Sequence, residues 1–330
     1  MIKISLERLV ELKKNFNGKK IAVIGDLMLD CYFWGSVNRI SPEAPVPIVE
    51  LESEFYRLGG AANVALNILT LGGIPLPIGV IGEDRHGKIF TNLLEENQIS
   101  KEGIFVDTDR STTAKVRIIA NNQQLLRVDR EQKKDISKDL ELKILSYLKN
   151  NLNDIDAIIL EDYNKGVLSQ NVIKEVIKFA NQNKIITSVD PKENNFFEYK
   201  HSFLFKPNKK ETENAVGFKI NNDEDLQKAG NILKNKLECK YLLITLGEQG
   251  SAIFYDDNKF IKVPTKARKV ADVSGAGDTV IATATLALAA HADIFEASYL
   301  ANLAGGLACE QVGVVPIKLD QLFQEACLRF

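Results

Sequence analysis

From about residue 140 onward, short apolar runs that finish on polar or acidic residues alternate with segments of helical period. This alternation constrains the fold more than any other feature. Residues 157–162 (Ala-Ile-Ile-Leu-Glu-Asp) read as a buried strand, 170–183 as a helix, 185–190 as the next strand and 203–206 as another. Continuous apolar runs of this kind belong in a parallel sheet covered on both faces. Residues 20–26 (Lys-Ile-Ala-Val-Ile-Gly-Asp) start the same pattern, so the prediction is an α/β fold around a mostly parallel central sheet. Ligands of such sheets bind beyond the carboxyl ends of the strands, where Asp26, Asp30, Asp190 and Lys192 collect. Asp26 and Asp30 could accept hydrogen bonds there from hydroxyl groups, or could simply cap a turn.

Two stretches depart from the alternation. Residues 31–56 carry Pro42, Pro45 and Pro47 among aromatic and β-branched residues, and residues 104–130 alternate strictly in places, as in Thr113-Ala114-Lys115-Val116-Arg117. Neither has a helical period, so both read as strands of one small second sheet inserted into a single domain spanning residues 1–330. No repeat, low-complexity tract or Pro- and Ser-rich linker divides the chain.

Near the end lies Asp272-Val273-Ser274-Gly275-Ala276-Gly277-Asp278-Thr279, followed by an apolar run free of Gly and Pro. A small-residue turn that opens a buried helix leaves the N–H groups around Gly275, Ala276 and Gly277 free, which makes an anion site. Asp278 sits beside that site, where a carboxylate is electrostatically costly unless it abstracts a proton. The plainer alternative is an acidic residue complementing the helix dipole. A second glycine turn, Gly59-Gly60-Ala61-Ala62-Asn63, opens a helix whose small residues permit close approach and whose Asn63 amide can both donate and accept; tight helix packing explains it too. Asn208 and Glu211, three apart at a helix start, suit either water-mediated magnesium binding or a capping box.

Composition excludes several classes of function. The balance of 42 basic and 44 acidic residues gives a net charge of −2, which offers no field for nucleic acid or an anionic membrane. Cys31, Cys239, Cys309 and Cys327 form no paired motif and the three histidines no metal motif, which fits a reducing cytoplasm without structural zinc or disulfides. The most apolar run, around residues 280–290, is shorter than the roughly 20 residues needed to cross a bilayer. Residues 82–89 nearly spell a phosphate-binding loop, but Ile89 stands where Ser or Thr is required.

The Gly275–Asp278 turn, the Gly59-Gly60-Ala61-Ala62-Asn63 segment, the Asn208-Lys209-Lys210-Glu211 segment and Thr245-Leu246-Gly247 together resemble the ribokinase-like, or phosphofructokinase-B, sugar kinases. That resemblance implies a three-layer α/β/α sandwich with a β-sheet lid, and Asp278 as catalytic base beside an anion hole of Gly275, Ala276 and Gly277. It further implies that Asp26, Asp30, Gly59, Gly60 and Asn63 bind the sugar, and that Asn208, Lys209, Lys210, Glu211, Thr245 and Gly247 meet ATP. Asn208 and Glu211 would hold Mg2+ through water, and Asn302 and Gly305, in a helix with small residues on one side, leave room for an adenine ring, though small-residue helix packing explains them equally well. A homodimer formed through the lid is implied as well, and a monovalent cation is left open.

Residues 25–30, 38–47 and 121–127 resemble one subgroup in particular, the D-glycero-β-D-manno-heptose 7-phosphate kinases, which include the kinase half of a bifunctional heptose kinase and adenylyltransferase. The implied reaction is phosphorylation at O1 to the 1,7-bisphosphate, on the way to ADP-heptose for lipopolysaccharide. Arg39, Lys115, Arg117, Arg127 and Lys192 are the candidate cations for the sugar phosphate, with no choice among them. No nucleotidyl motif follows, so adenylyl transfer is expected elsewhere. Another sugar or nucleoside kinase, or a non-catalytic nucleotide- or sugar-binding regulator, stays open.

Overall fold

The computed structural model describes residues 4–256, 259–265, 271–311 and 313–328. Its strands are β1 (Lys20–Gly25), β2 (Leu27–Ile40), β3 (Pro47–Gly60), β4 (Ile74–Gly82), β5 (Ile104–Asp107), β6 (Thr113–Ala120), β7 (Gln123–Arg130), β8 (Ala157–Glu161), β9 (Ile186–Asp190), β10 (Leu204–Phe205), β11 (Tyr241–Thr245), β12 (Ser251–Tyr255) and β13 (Lys259–Val263). The helices are α1 (Leu6–Phe16), α2 (Ala61–Thr70), α3 (Arg85–Glu96), α4 (Lys138–Asn150), α5 (Gln170–Gln182), α6 (Lys209–Val216), α7 (Asp223–Leu237), α8 (Ala276–Ala289), α9 (Ile294–Cys309) and α10 (Leu319–Leu328).

The larger sheet runs β13-β12-β11-β10-β9-β8-β1-β4-β5 and is parallel from β11 to β5, with β12 and β13 antiparallel at one edge. Its interior strands are apolar on both faces because helices cover both. Ile21 and Val23 of β1, with Ala157 and Ile159 of β8, point toward α2, α8 and α9. Ala22 and Ile24, with Ile158 and Leu160, point toward α4, α5 and α7. Helix α8 is buried almost from end to end, which explains its uninterrupted apolar sequence.

The chain leaves β1 to build β4 on one side and later adds β8 on the other, so strand order reverses at β1/β8. Crevices at such reversals, beyond the carboxyl ends of the strands, are where ligands bind. Gly25, Glu161 and Asp190 lie in register there.

The smaller sheet runs β3-β2-β6-β7. Both expected insertions contribute, but their limits differ from the sequence reading. β5, expected within the 104–130 insertion, pairs with β4 and ends the large sheet, whereas pairing in the small sheet starts at Thr113. The first insertion runs from Leu27 to Gly60, because β2 leaves β1 after a single intervening residue.

Candidate active site

Gly275 caps α8 in the left-handed conformation, φ 76°, and no side chain caps the helix, but the Ala276 N–H, expected to be free, donates to the Val273 carbonyl at 3.3 Å, since the chain turns tightly there. From that turn Asp278 enters the protein almost fully buried. Asn63 Nδ2 donates to its Oδ2 at 2.7 Å, and the Tyr163 hydroxyl donates to its Oδ1 at 2.7 Å. Burial raises its pKa to about 6, against the pull of those two hydrogen bonds. Asp278 is therefore mostly ionised at neutral pH while keeping the basicity a proton acceptor needs.

Two further carboxylates end the adjacent strands. Glu161, Asp190 and Asp278 bring oxygens within 4.8 Å of one another. Their counter-ion is Lys206, buried at the end of β10, whose ammonium donates to Asp190 at 2.7 Å. Glu161 is 1% exposed and its Oε2 has no protein partner; burial, then Asp190 and Asp278, push its carboxyl well above the usual range. Lys192 donates to Glu211, and although burial pulls its pKa down, Asp190 and Glu211 outweigh that and keep it charged.

Asp278 stands at one wall of a cleft of about 870 Å³. The cleft runs over Gly275, Ala276 and Gly277 to Asn208, Lys209 and Lys210, then to Thr245 and Gly247 on one side and Asn302 and Gly305 on the other. An open cleft of this size with cations and a helix N-terminus at one end, and small residues at the other, can take a nucleoside triphosphate.

A model of the pfkB family of carbohydrate kinases matches residues 18–320. The chain belongs to the pfkB carbohydrate kinase family. The bifunctional protein HldE of Helicobacter acinonychis is 42% identical over 304 residues, covering 92% of this chain and 65% of its own length. The HldE of Aliarcobacter butzleri is 45% identical, covering 92% and 63%. The chain thus spans about two-thirds of the length of these curated relatives. Among solved structures, the tetrameric inhibited form of phosphofructokinase-2 from Escherichia coli superposes with a TM-score of 0.76 at 20% identity, covering 94% of this chain and 99% of its own. Ribokinase from Arabidopsis thaliana, solved with ribose and ATP, superposes with a TM-score of 0.73 at 19% identity over 94% and 99%. The fold is therefore ribokinase-like, with a second, smaller sheet where the lid is expected.

The lid carries the remaining candidates. Asp30 of β2 accepts from Arg117 of β6 at 2.6 Å. Gly59 lets β3 pass, since a Cβ there would fall 2.6 Å from Asp30 Oδ2, and Gly60 turns into α2 with φ 57°. Lys115 is half-buried, its ammonium 5.4 Å from the Tyr163 ring centroid, and burial lowers its pKa. Arg127 pairs with Asp129 on the exposed strand β7.

Two expectations change. Asp26, expected to meet sugar hydroxyls, instead accepts the backbone N–H groups of Tyr163, Lys165 and Val167 at 2.8, 2.9 and 3.1 Å, so it organises the loop after β8. Burial, then Asp162, raises its pKa to about 6 against those three donors. Arg39 lies nine residues beyond Asp30, about 30 Å along an extended strand, and pairs with Glu50 in solvent, so the structure does not bring it to the site.

Asn208 and Glu211 form the capping box that was the plainer alternative: Asn208 Oδ1 accepts the Glu211 N–H, and Glu211 accepts the Asn208 N–H, each at 2.8 Å. Asn208 lines the cleft, whereas Glu211 is buried behind it, its two oxygens taken by the Asn208 N–H and the Lys192 ammonium. Sequence reasoning gave no role to Tyr163, Lys206 or Glu161. The one available signal was the run Glu161-Asp162-Tyr163 at a strand end, since a buried strand rarely closes on three polar groups.

Proposed function

We propose that this chain transfers the γ-phosphoryl group of ATP to O1 of D-glycero-β-D-manno-heptose 7-phosphate, giving the 1,7-bisphosphate in ADP-heptose biosynthesis. The observation that carries the chemistry is Asp278, ionised and buried beside the first turn of α8 at the cleft wall. The heptose assignment is supported by the subgroup resemblance of residues 25–30, 38–47 and 121–127 and by the identity with the HldE proteins.

In this mechanism Asp278 takes the O1 proton while the N–H groups of Gly275 and Gly277 stabilise charge on the phosphoryl group in transfer. Thr245, Gly247, Lys209 and Lys210 hold the nucleotide, and Asn302 and Gly305 border its base. Asn208 and Glu211 would order the water shell of Mg2+, which enters with ATP and neutralises phosphate charge. Asn63, Asp30 and Gly59 border the sugar, and Lys115 is the lid cation for its phosphate because among the described residues no carboxylate pairs with it, unlike Arg117, Arg127 and Lys192. Lid closure excludes water. We place the reaction in the cytoplasm, consistent with the unpaired thiols of Cys31, Cys239, Cys309 and Cys327.

We also infer a homodimer built through the lid. Strand β7 is exposed along its whole length, and Leu125, Leu126 and Val128 there, with Ile40, Val46 and Leu51 of the β2–β3 hairpin, leave apolar surface in solvent that a second copy would cover.

The deciding experiment measures ADP release with Mg-ATP and three acceptors: the heptose 7-phosphate, unphosphorylated heptose and fructose 6-phosphate. Turnover with the heptose phosphate alone is expected. Turnover with another sugar keeps the kinase and discards the heptose; tight ATP binding without turnover on any acceptor replaces both with a regulatory role.

A further inference from the structure

The mechanism above gives the proton of the acceptor to Asp278 and assigns nothing to the group that holds this carboxylate from the strand side. Asp278 is fastened from two layers of the fold: Asn63 of α2 on Oδ2 and Tyr163, in the loop after β8, on Oδ1. An ionised carboxylate offers about four acceptor positions, so one on each oxygen stays open. Tyr163 is itself fixed. Its N–H donates to Asp26, and its ring faces two ammonium groups, Lys115 of the lid at 5.4 Å and Lys192 of the loop after β9 at 5.5 Å.

We propose that Tyr163 is a positioning residue for phosphoryl transfer: its hydroxyl holds Asp278 in the ionised state and aims an open lone pair at the acceptor hydroxyl. The proposal rests on the reading of Asp278 as the base. The phenol keeps its proton throughout and only donates a hydrogen bond, so no new transfer step is added.

The other charged groups around Asp278 sharpen the argument. Asp190 of β9 faces it and opposes its ionisation, Glu161 of β8 faces it with its own carboxyl pushed well above the usual range, and Lys206 at the end of β10 favours the charge but already donates to Asp190. With burial working against the charge, the hydrogen bonds from Asn63 and Tyr163 are the principal direct stabilisers of the carboxylate. Removing one leaves Asn63 to hold the group by a single oxygen, free to turn about that contact.

Tyr163→Phe tests this, because it removes one oxygen and keeps the ring over which Lys115 and Lys192 sit. Carboxyl 13C titration of aspartate-labelled protein reads Asp278 directly, its signal being the one lost in Asp278→Asn. The midpoint is expected to rise by about one pH unit in Tyr163→Phe, and the acid limb of kcat/KM to move up with it. Loss of aim is expected to lower kcat about tenfold at the pH optimum with little change in KM for ATP. A merely structural tyrosine would leave midpoint and limb where they are in wild type, and that result, or a fall of the midpoint, overturns the proposal. If Asp278→Asn keeps its activity, the base reading itself is wrong; if that variant is inactive while Tyr163→Phe titrates like wild type, only the role of Tyr163 is lost. Should no acceptor turn over, the carboxyl titration decides alone.

Discussion

The catalytic use proposed for Asp278 comes with a cost to the fold. Its carboxyl is raised from the ordinary aspartate value to about 6 by burial, so between those two values the folded protein binds a proton that the unfolded chain releases. Stability attributable to this group therefore falls as pH rises through that window and stays reduced above it. Asp278→Asn should lower kcat by about a thousandfold and, at pH 8, stabilise the protein by about 1–2 kcal/mol, the gain vanishing near pH 4. Thermal melts across pH check it, and equal melting temperatures at pH 8 would refute it. Activity of the wild type should decline below about pH 6 as Asp278 takes up its proton. Lys206 has the opposite character. Lys206→Met leaves Asp190 buried without its 2.7 Å partner and should cost about 3–5 kcal/mol, read as a lower urea midpoint. At this scale the sequence discloses residues that work through their own neighbours in the chain, as Gly275 to Asp278 do. It conceals Tyr163 and Lys206, because their partners lie on other strands and only the register at the sheet ends brings them together.

Among the elements, the turn into α8 is the most exacting. Gly275 adopts φ 76°, and an added Cβ would lie 3.1 Å from Val314 Cγ1 and 3.2 Å from Asn63 Nδ2. Gly275→Ala should therefore destabilise the protein by about 1–2 kcal/mol and raise KM for ATP, since the strained turn tilts the N–H groups that meet the phosphates. A variant with wild-type KM and melting temperature would show that the turn tolerates a side chain. The strand and helix alternation was legible because both faces of the large sheet are covered, which makes its strands apolar throughout. The edges of the insertions were not. β5 is a four-residue edge strand whose pattern suits either sheet, and the first residues of β2 are as buried as those of β1, so nothing in their polarity marks the point where the chain changes sheets. Gly87 lies inside α3, where a Cβ would fall 2.4 Å from the Gly82 carbonyl, so it permits close packing of helix on strand.

For the molecule as a whole, the proposed lid and the proposed dimer meet on the small sheet. Leu126→Glu on β7 should convert the proposed dimer to a monomer in sedimentation velocity and lower kcat/KM for the sugar more than for ATP, since the lid is proposed to cover only the sugar side. A wild-type protein that sediments as a monomer would remove the dimer. No helix among the described residues is long and apolar enough to cross a membrane. The lid also meets the large sheet at an unusual joint. Asp26 donates its N–H to the Glu161 carbonyl, its carbonyl accepts from Ala61 where the lid hairpin returns, and its carboxylate holds the loop that presents Tyr163. Departure, return and catalytic loop thus turn on one axle. Any change in the lid's angle is geared to the alignment of the base, and a lid transplanted from a relative would work only if it were cut outside this joint.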